Sequence, residues 1–386
     1  MYIFYHEFNS TSSGAAVVIL NLIRGLVLKN QKVLLISYVN GALHNELKDL
    51  DPDLLIVVDK DEESIYQTMD LISYNDIIIT THYYAVFKKF KKKNPKIIFY
   101  CVNITSLVVA NLYFKRLNIK ALTRRLVKRI STRGGLLFID TYAVEENERQ
   151  LNILIRDPLF LPIPVEVPAT NLWKNRNGVP PGISFTYIGR AVDWKIFPVR
   201  KLLNDISNSD LPKEGNKIKF HIVTDDKNEF NKQIADRSSP LIEICFHENL
   251  SQKELSAFLL EHSCLHFAMG TSSLDGAKLG VPTILLDFSF EEFPQNYCYN
   301  FLYTTKGNQV GRWIKKDTDF HGYTIQELIQ MVKDEKQIQQ LSYLSYKYVK
   351  ENHELLNITD KLIDFSSTCN IHVKDVSPLL VRYWIS

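Results

Sequence analysis

The sequence predicts an α/β protein of two doubly wound domains, each a parallel sheet covered by helices. Three observations predict it. The chain has 386 residues, more than one hydrophobic core ordinarily serves, so two domains are expected. Short β-rich apolar runs alternate with amphipathic helical stretches along most of the length, the pattern of βαβ units. In the middle, Pro162, Pro164, Pro168, Pro180, Pro181 and Gly182 punctuate the chain. The alternation then restarts, as it would after a linker between similar halves. The expectation is two Rossmann-like domains facing a cleft, over 1–165 and 166–350, with a tail over 351–386 that could cross back to the first.

In the first half, "YIFYH" reads as a strand and "AAVVILNLIRGLVLKN" as a helix with apolar residues at helical spacing. The strands "KVLLISY", "DLLIVV", "DIIITTH" and "KIIFYCV" follow, then "GGLLFIDT", and "LFLPIPV" closes this half. The second half opens with the strand "ISFTYIGR" and the helix "FPVRKLLNDI". "IKFHIVT", "IEICF", "CLHFAM" and "PTILLDF" are its further strands. "FNKQIAD", "SQKELSAFLLEH" and "SLDGAKLG" are the helices between them. Residues 324–353 read as polar helix.

Composition narrows the class. Hydrophobic residues make up 45% and charged residues 23%, as in ordinary globular chains, and the net charge of +3 gives no footprint for nucleic acid. Five cysteines (101, 245, 264, 298, 369) are dispersed without a CxxC, as expected of reduced thiols, with three of them in core-like context. No basic n-region precedes "YIFYHEF", and no run approaches the roughly 18 apolar residues of a membrane span. The expectation is a cytoplasmic protein.

Two segments carry the chemistry. In "HFAMGTSSLDGAKLGVPTILLDF" (266–288), a strand runs into Gly270, Thr271, Ser272 and Ser273 just as a helix begins, with Asp275 one turn in. Helix N-termini offer unpaired N–H groups and a partial positive charge of roughly +0.5, which suits phosphate. Serine or threonine there also suits plain capping, so this stretch alone leaves both readings open. In "YIGRAVDWKIF" (187–197), Arg190 and Lys195 follow a strand. A guanidinium fork and an ammonium at a strand's carboxyl end fit a diphosphate, although either cation alone would read as a solvated surface charge.

Together these segments resemble family 4 (group 1) glycosyltransferases, which have the GT-B fold. "GRAVDWK" is similar to that family's "GR…K" segment, with the same five-position step from Arg190 to Lys195. The resemblance implies that these side chains grip the diphosphate of a nucleotide-sugar. "LDGAKLGVPTI" resembles the block "LEAxAxGxPVI", which puts Asp275 on the ribose hydroxyls. "ICFHENLSQKELSAFL" resembles the segment whose loop lies against the base, which places Phe246, His247 and Glu248 there. "SSGAA" (12–16) resembles the Gly-rich first loop and brings in Gly14, and "LFLPIPVEV" resembles the interdomain turn. The sequence departs at Phe267, where the family often has an acid eight residues before the ribose acid.

Acceptor chemistry is expected from the first half. His6, His82 and Asn103 each end a predicted strand. His82 is the candidate general base, and Asn103, which cannot be a base, the candidate hydrogen-bonding group. His44, His262 and His321 read as surface or helix residues. "DLDPD" (49–53) and "DTD" (317–319) fit Asp-x-Asp but lie in polar turns, so no metal and no cofactor are expected. "KKFKKKNPK" is basic, and residues 113–133 carry eight Lys or Arg and no acid, with Phe114, Leu117, Leu122, Leu126 and Ile130 near helical spacing. A basic amphipathic helix suits an anionic membrane surface, and contact with one is the expectation, the alternative being an ordinary helix with solvated charges.

These readings converge on a metal-independent glycosyltransferase. It would move a sugar from a nucleotide-diphosphate-sugar to a hydroxyl of a glycan or lipid-linked acceptor, in surface polysaccharide synthesis. The rivals are a nucleotide-sugar epimerase of the same architecture and a non-catalytic nucleotide- or glycan-binding protein.

Overall fold

The computed structural model describes residues 1–6, 13–81, 90–104, 107, 119–175, 182–210, 217–237, 239–315 and 318–376. The chain forms two compact units, Met1–Pro164 with His353–Ser386, and Val165–Asn352.

The first unit is a seven-stranded sheet. Its strands are β1 (Tyr2–Tyr5), β2 (Val33–Ser37), β3 (Leu55–Asp59), β4 (Ile77–Thr80), β5 (Lys96–Cys101), β6 (Leu136–Phe138) and β7 (Leu159–Phe160). They lie in the order β3-β2-β1-β4-β5-β6-β7, and every pairing is parallel. Central strands such as "IIIT" are buried along their whole length, which is why they read as unbroken apolar runs. The expected strand "LFLPIPV" survives only as the two residues of β7, since its prolines cannot donate to a ladder.

The helices here are α1 (Gly14–Leu28), α2 (Ala42–Asn45), α3 (Glu62–Thr68), α4 (Ile119–Ser131) and α5 (Thr141–Leu151). The tail contributes a helix over Leu355–Thr368 that packs on α1. Gly25 makes that approach possible, because a Cβ there would lie 2.0 Å from the Thr359 hydroxyl.

The second unit is a six-stranded sheet of β8 (Ser184–Ile188), β9 (Ile218–Thr224), β10 (Ile242–Glu248), β11 (Leu265–Ala268), β12 (Thr283–Leu285) and β13 (Asn300–Phe301). The order is β10-β9-β8-β11-β12-β13. Only β13, which the sequence did not suggest, runs antiparallel. The helices are α6 (Asp193–Ser207), α7 (Lys227–Ile234), α8 (Gln252–His262), α9 (Thr271–Ala277), α10 (Ile325–Lys333) and α11 (Glu335–Asn352). Capping boxes start α8, through Ser251 and Glu254, and α10, through Thr324 and Glu327. The long polar helix expected over 324–353 is two helices broken at Asp334.

Cys101, Cys264 and Cys369 are buried, and all five cysteines are unbridged. Among the described residues, no helix is long and apolar enough to cross a membrane.

Candidate active site

The second sheet has its topological switch beside β8. From β8 the chain winds outward through β9 to β10, then returns to place β11 on the other side of β8. In open α/β sheets, ligands bind at the carboxyl ends of the strands flanking such a switch. Those ends belong here to residues 189–195 and 269–273.

Gly189 turns the chain out of β8. A Cβ there would fall 2.2 Å from the Tyr187 hydroxyl, so the position needs glycine for space. Arg190 follows, and the Ala191 amide then donates to Asp225 at 2.9 Å, which ties this loop to the end of β9. Helix α6 begins at Asp193, four residues earlier than the apolar pattern suggests, so Lys195 belongs to its first turn. Its backbone carbonyl accepts from the Tyr187 hydroxyl at 3.2 Å.

Burial, reinforced by the Arg190 charge and opposed by Asp225, brings the Lys195 ammonium down from 10.5 to about 8. Among the described residues, neither Arg190 nor Lys195 takes part in an ion pair. Two neighbouring cations outside any described ion pair, one of them desolvated, suit an anionic ligand.

Gly270 leaves β11 at φ 63° and ψ −144°, a backbone conformation that essentially only glycine adopts. Its amide donates to the Val310 carbonyl at 2.7 Å. Its carbonyl accepts the Ser273 hydroxyl at 2.7 Å and the Ser273 amide at 3.2 Å. Ser273 is fully buried and holds the turn closed. Among the described residues, the amides left unbonded at this turn are therefore those of Thr271 and Ser272. Asp275 Oδ1 accepts from Lys278 at 2.9 Å and from Gln252 at 3.1 Å, while Oδ2 has no described partner. Phe267 points to the opposite face and packs edge-on against Phe185 at 5.3 Å in the core.

Sequence reasoning missed what holds this turn. Cys245, His221, Thr186, His266 and Thr283 lie side by side across five strands. His266 Nε2 lies 3.0 Å from the Ser272 carbonyl, so this nitrogen donates. Nδ1, at 3.0 Å from the Thr186 hydroxyl, then accepts, and the Ser263 hydroxyl lies 2.7 Å beyond Thr186. Burial lowers the pKa of His266 and keeps it neutral for this role. Gly276 packs on the imidazole, where a Cβ would meet Cδ2 at 2.6 Å.

His247 lies near the end of β10. Its Nε2 is 3.1 Å from His221 Nδ1, and its ring packs on Phe258 at 4.4 Å, so the imidazole is engaged beneath α8. Burial lowers both pKa values, that of His221 to about 4.

A further segment, 310–314, crosses the ends of β11 and β12. Besides the Val310 bond, Phe288 donates to the Arg312 carbonyl at 2.9 Å and Ile314 to the Phe288 carbonyl at 2.9 Å. Trp194, at the start of α6, meets Phe288 edge-on at 5.5 Å and joins the two sides of this edge.

In the first unit, Ser13 caps α1 by accepting from the Ala16 amide at 3.1 Å, and Gly14 is the exposed first residue of that helix. Asn103 is exposed just beyond β5, and His6 is buried after β1. His82, the candidate base, lies outside the described residues, as do 113–118 of the basic segment.

In α4, Leu126, Val127 and Ile130 are buried, while Arg125 and Lys128 are exposed. Arg124 is tied to the Leu151 carbonyl at 2.6 Å, and Arg129 and Arg133 both pair with Asp375, at 3.2 and 2.8 Å. Part of the basic face is thus already compensated. Asp51 accepts from the Asp53 amide at 2.9 Å, a turn as its sequence suggested. Among the described residues, no cluster of His, Cys, Asp or Glu could hold a metal ion.

No protein-family model matches the sequence, and no curated protein does. Solved structures do match in fold. The HepE protein of Anabaena, determined with UDP and glucose, superposes with a TM-score of 0.60 at 10% identity, over 95% of this chain and 99% of that one. A glycosyltransferase of Rickettsia africae gives 0.59 at 13% identity, over 95% and 98%. WaaG, a glycosyltransferase of lipopolysaccharide biosynthesis, gives 0.53 at 9% identity, over 95% and 100%. These likenesses extend over both units, and with the two doubly wound sheets they show that the chain has the GT-B fold.

Proposed function

We propose that the protein is a glycosyltransferase that transfers a sugar from a nucleoside-diphosphate-sugar to a hydroxyl of a glycan or lipid-linked glycan. One observation carries the reading. Arg190 and Lys195 stand without ion-pair partners among the described residues, at the switch point of a sheet whose fold is shared with a structure solved with UDP and glucose.

In such a transfer, the bond from the anomeric carbon to the diphosphate oxygen breaks as the acceptor oxygen attacks. The electron pair leaves with the diphosphate, and the acceptor proton passes to a base. Charge develops on the leaving group, and fixed donors aimed at it lower the barrier. Arg190, Lys195 and the Thr271 and Ser272 amides suit that task, and Asp275 Oδ2 suits a ribose hydroxyl. These groups neutralise the diphosphate without a metal. His82 is assigned the base on its place after β4, and Asn103 and Gly14 an acceptor-side and a donor-side contact, on sequence grounds.

The acceptor is placed at the cytoplasmic membrane face. The exposed Arg125 and Lys128 of α4 support this, as does the lipopolysaccharide role of WaaG. Incubation with a panel of nucleotide-sugars tests the reading through release of nucleoside diphosphate with and without acceptor. Binding without release would indicate a non-catalytic protein, and a changed sugar still on its nucleotide an epimerase.

A further inference from the structure

We propose that Arg312 is a third cationic contact to the donor's diphosphate, held in place by the buried carboxylate of Asp287. The inference rests on the donor-site reading above and adds a residue that no motif in the sequence assigns.

Asp287 lies just beyond β12, and its side chain is 10% exposed. Oδ1 accepts the Arg312 amide at 3.0 Å, and Oδ2 accepts Arg312 Nε at 3.3 Å. The carboxylate therefore grips both the backbone and the side chain of one residue. Burial raises the Asp287 pKa, and the Arg312 charge and hydrogen bonds oppose that rise.

A buried ion pair is seldom worth more to stability than apolar packing of the same volume. Its use here is orientation. With Nε engaged, the two Nη groups, which are the fork that binds paired oxygens, have no partner among the described residues. The side chain is 37% exposed, so a ligand can reach it.

The backbone places that fork at the donor site. Val310, two residues earlier, is bonded to the Gly270 amide at 2.7 Å. Gly311, at φ 114°, lets the segment lie flat on the sheet's edge. A Cβ there would meet the Leu286 carbonyl at 2.8 Å and the Met269 side chain at 3.5 Å. Arg312 is thus fastened over the carboxyl ends of β11 and β12, next to the turn at Gly270. Lys195 and Arg190 stand on the other side of that turn, after β8. The ligand class for three cations so arranged is a diphosphate, whose paired oxygens a fork can take in bidentate fashion.

The test is calorimetric titration of the full chain with UDP, GDP, ADP, CDP and dTDP, and with the monophosphate of whichever binds tightest. The quantity read is the affinity ratio of diphosphate to monophosphate, which a general loosening of the fold would not change. Arg312→Gln should lower that ratio about 10-fold or more, as Arg190→Ala should. Asp287→Asn, which frees the guanidinium from its support, should lower it about 3-fold.

Because Arg312→Gln strands a buried carboxylate, the double variant Asp287→Asn with Arg312→Gln is measured as well. It should melt within a few degrees of wild type and still show the lowered ratio. If the double variant melts normally and keeps the wild-type ratio while Arg190→Ala loses it, Arg312 is a structural residue and the inference is overturned. If wild type binds none of the five diphosphates, the donor-site reading itself falls, and this inference falls with it.

Discussion

Lys195 makes a prediction with two opposite signs. Its pKa is about 8 in the free protein, against 10.5 for an ordinary lysine, chiefly because it is buried and secondly because Arg190 lies near. In the ligand-free protein, the unfolded chain therefore holds more protons than the folded one between pH 8 and 10.5. Stability should rise with pH across that window, since the folded pKa is the depressed one. The gap corresponds to about 3 kcal/mol at most.

A bound diphosphate reverses the balance. It stabilises the ammonium, so binding takes up a proton wherever free Lys195 has lost it. With a free pKa of about 8 and a bound value above the range tested, affinity should fall about tenfold between roughly pH 7 and pH 9. Calorimetry across that range in buffers of different ionisation heat would measure both the affinity and the proton uptake. Lys195→Met should abolish the slope and the uptake while lowering affinity near neutrality. Any titration belonging to the nucleotide itself would persist in that variant and so be separated. A slope of the same size in Lys195→Met would refute the reasoning, because the titrating group would then lie elsewhere.

Three further outcomes follow from the same geometry. Arg190→Ala should weaken nucleoside diphosphate binding about 10- to 100-fold, as expected for loss of a charge-assisted contact of roughly 1.5–3 kcal/mol, and should leave nucleoside binding within about threefold in the same titration. Asp275→Asn should reduce the preference for a ribonucleotide over its 2′-deoxy counterpart by about fivefold, and an unchanged preference would make Asp275 a structural partner of Lys278 and Gln252 only. Replacing the exposed Arg125 and Lys128 by Gln should weaken binding to vesicles of acidic lipid, by about 1 kcal/mol per charge at low salt, without altering turnover on a short soluble acceptor; sedimentation with vesicles reads the first and diphosphate release the second.

What was legible in the sequence depended on how local its cause is. Strands such as "IIIT" and "FHIV" are apolar because they are covered on both faces, and that is written in consecutive residues. Arg190, Lys195 and Gly270 were legible because each sits within a few residues of the end of such a strand. Their support was not. Thr186 and His266 meet because β11 pairs with β8 at that register, and 80 positions separate them in the chain. Nothing in "FTY" or "LHF" announces the pairing, and a one-residue slip of β11 against β8 would put the two side chains on opposite faces.

The segment around Arg312 was the hardest to read. "NQVGRWI" has neither helical nor strand periodicity, since most of it is held by bonds to other elements and not by its own repeat. Its one local sign was Gly311, whose φ of 114° marks a backbone pressed against something. What it presses on, the Leu286 carbonyl and Met269 at the ends of β12 and β11, is settled only when those strands are adjacent. The ends of β8, β9, β11 and β12 are tied together by Ala191–Asp225, Gly270–Val310 and Arg312–Asp287. Among the described residues, Arg190 and Lys195 on that edge stay outside any ion pair, which suits them to an anionic ligand.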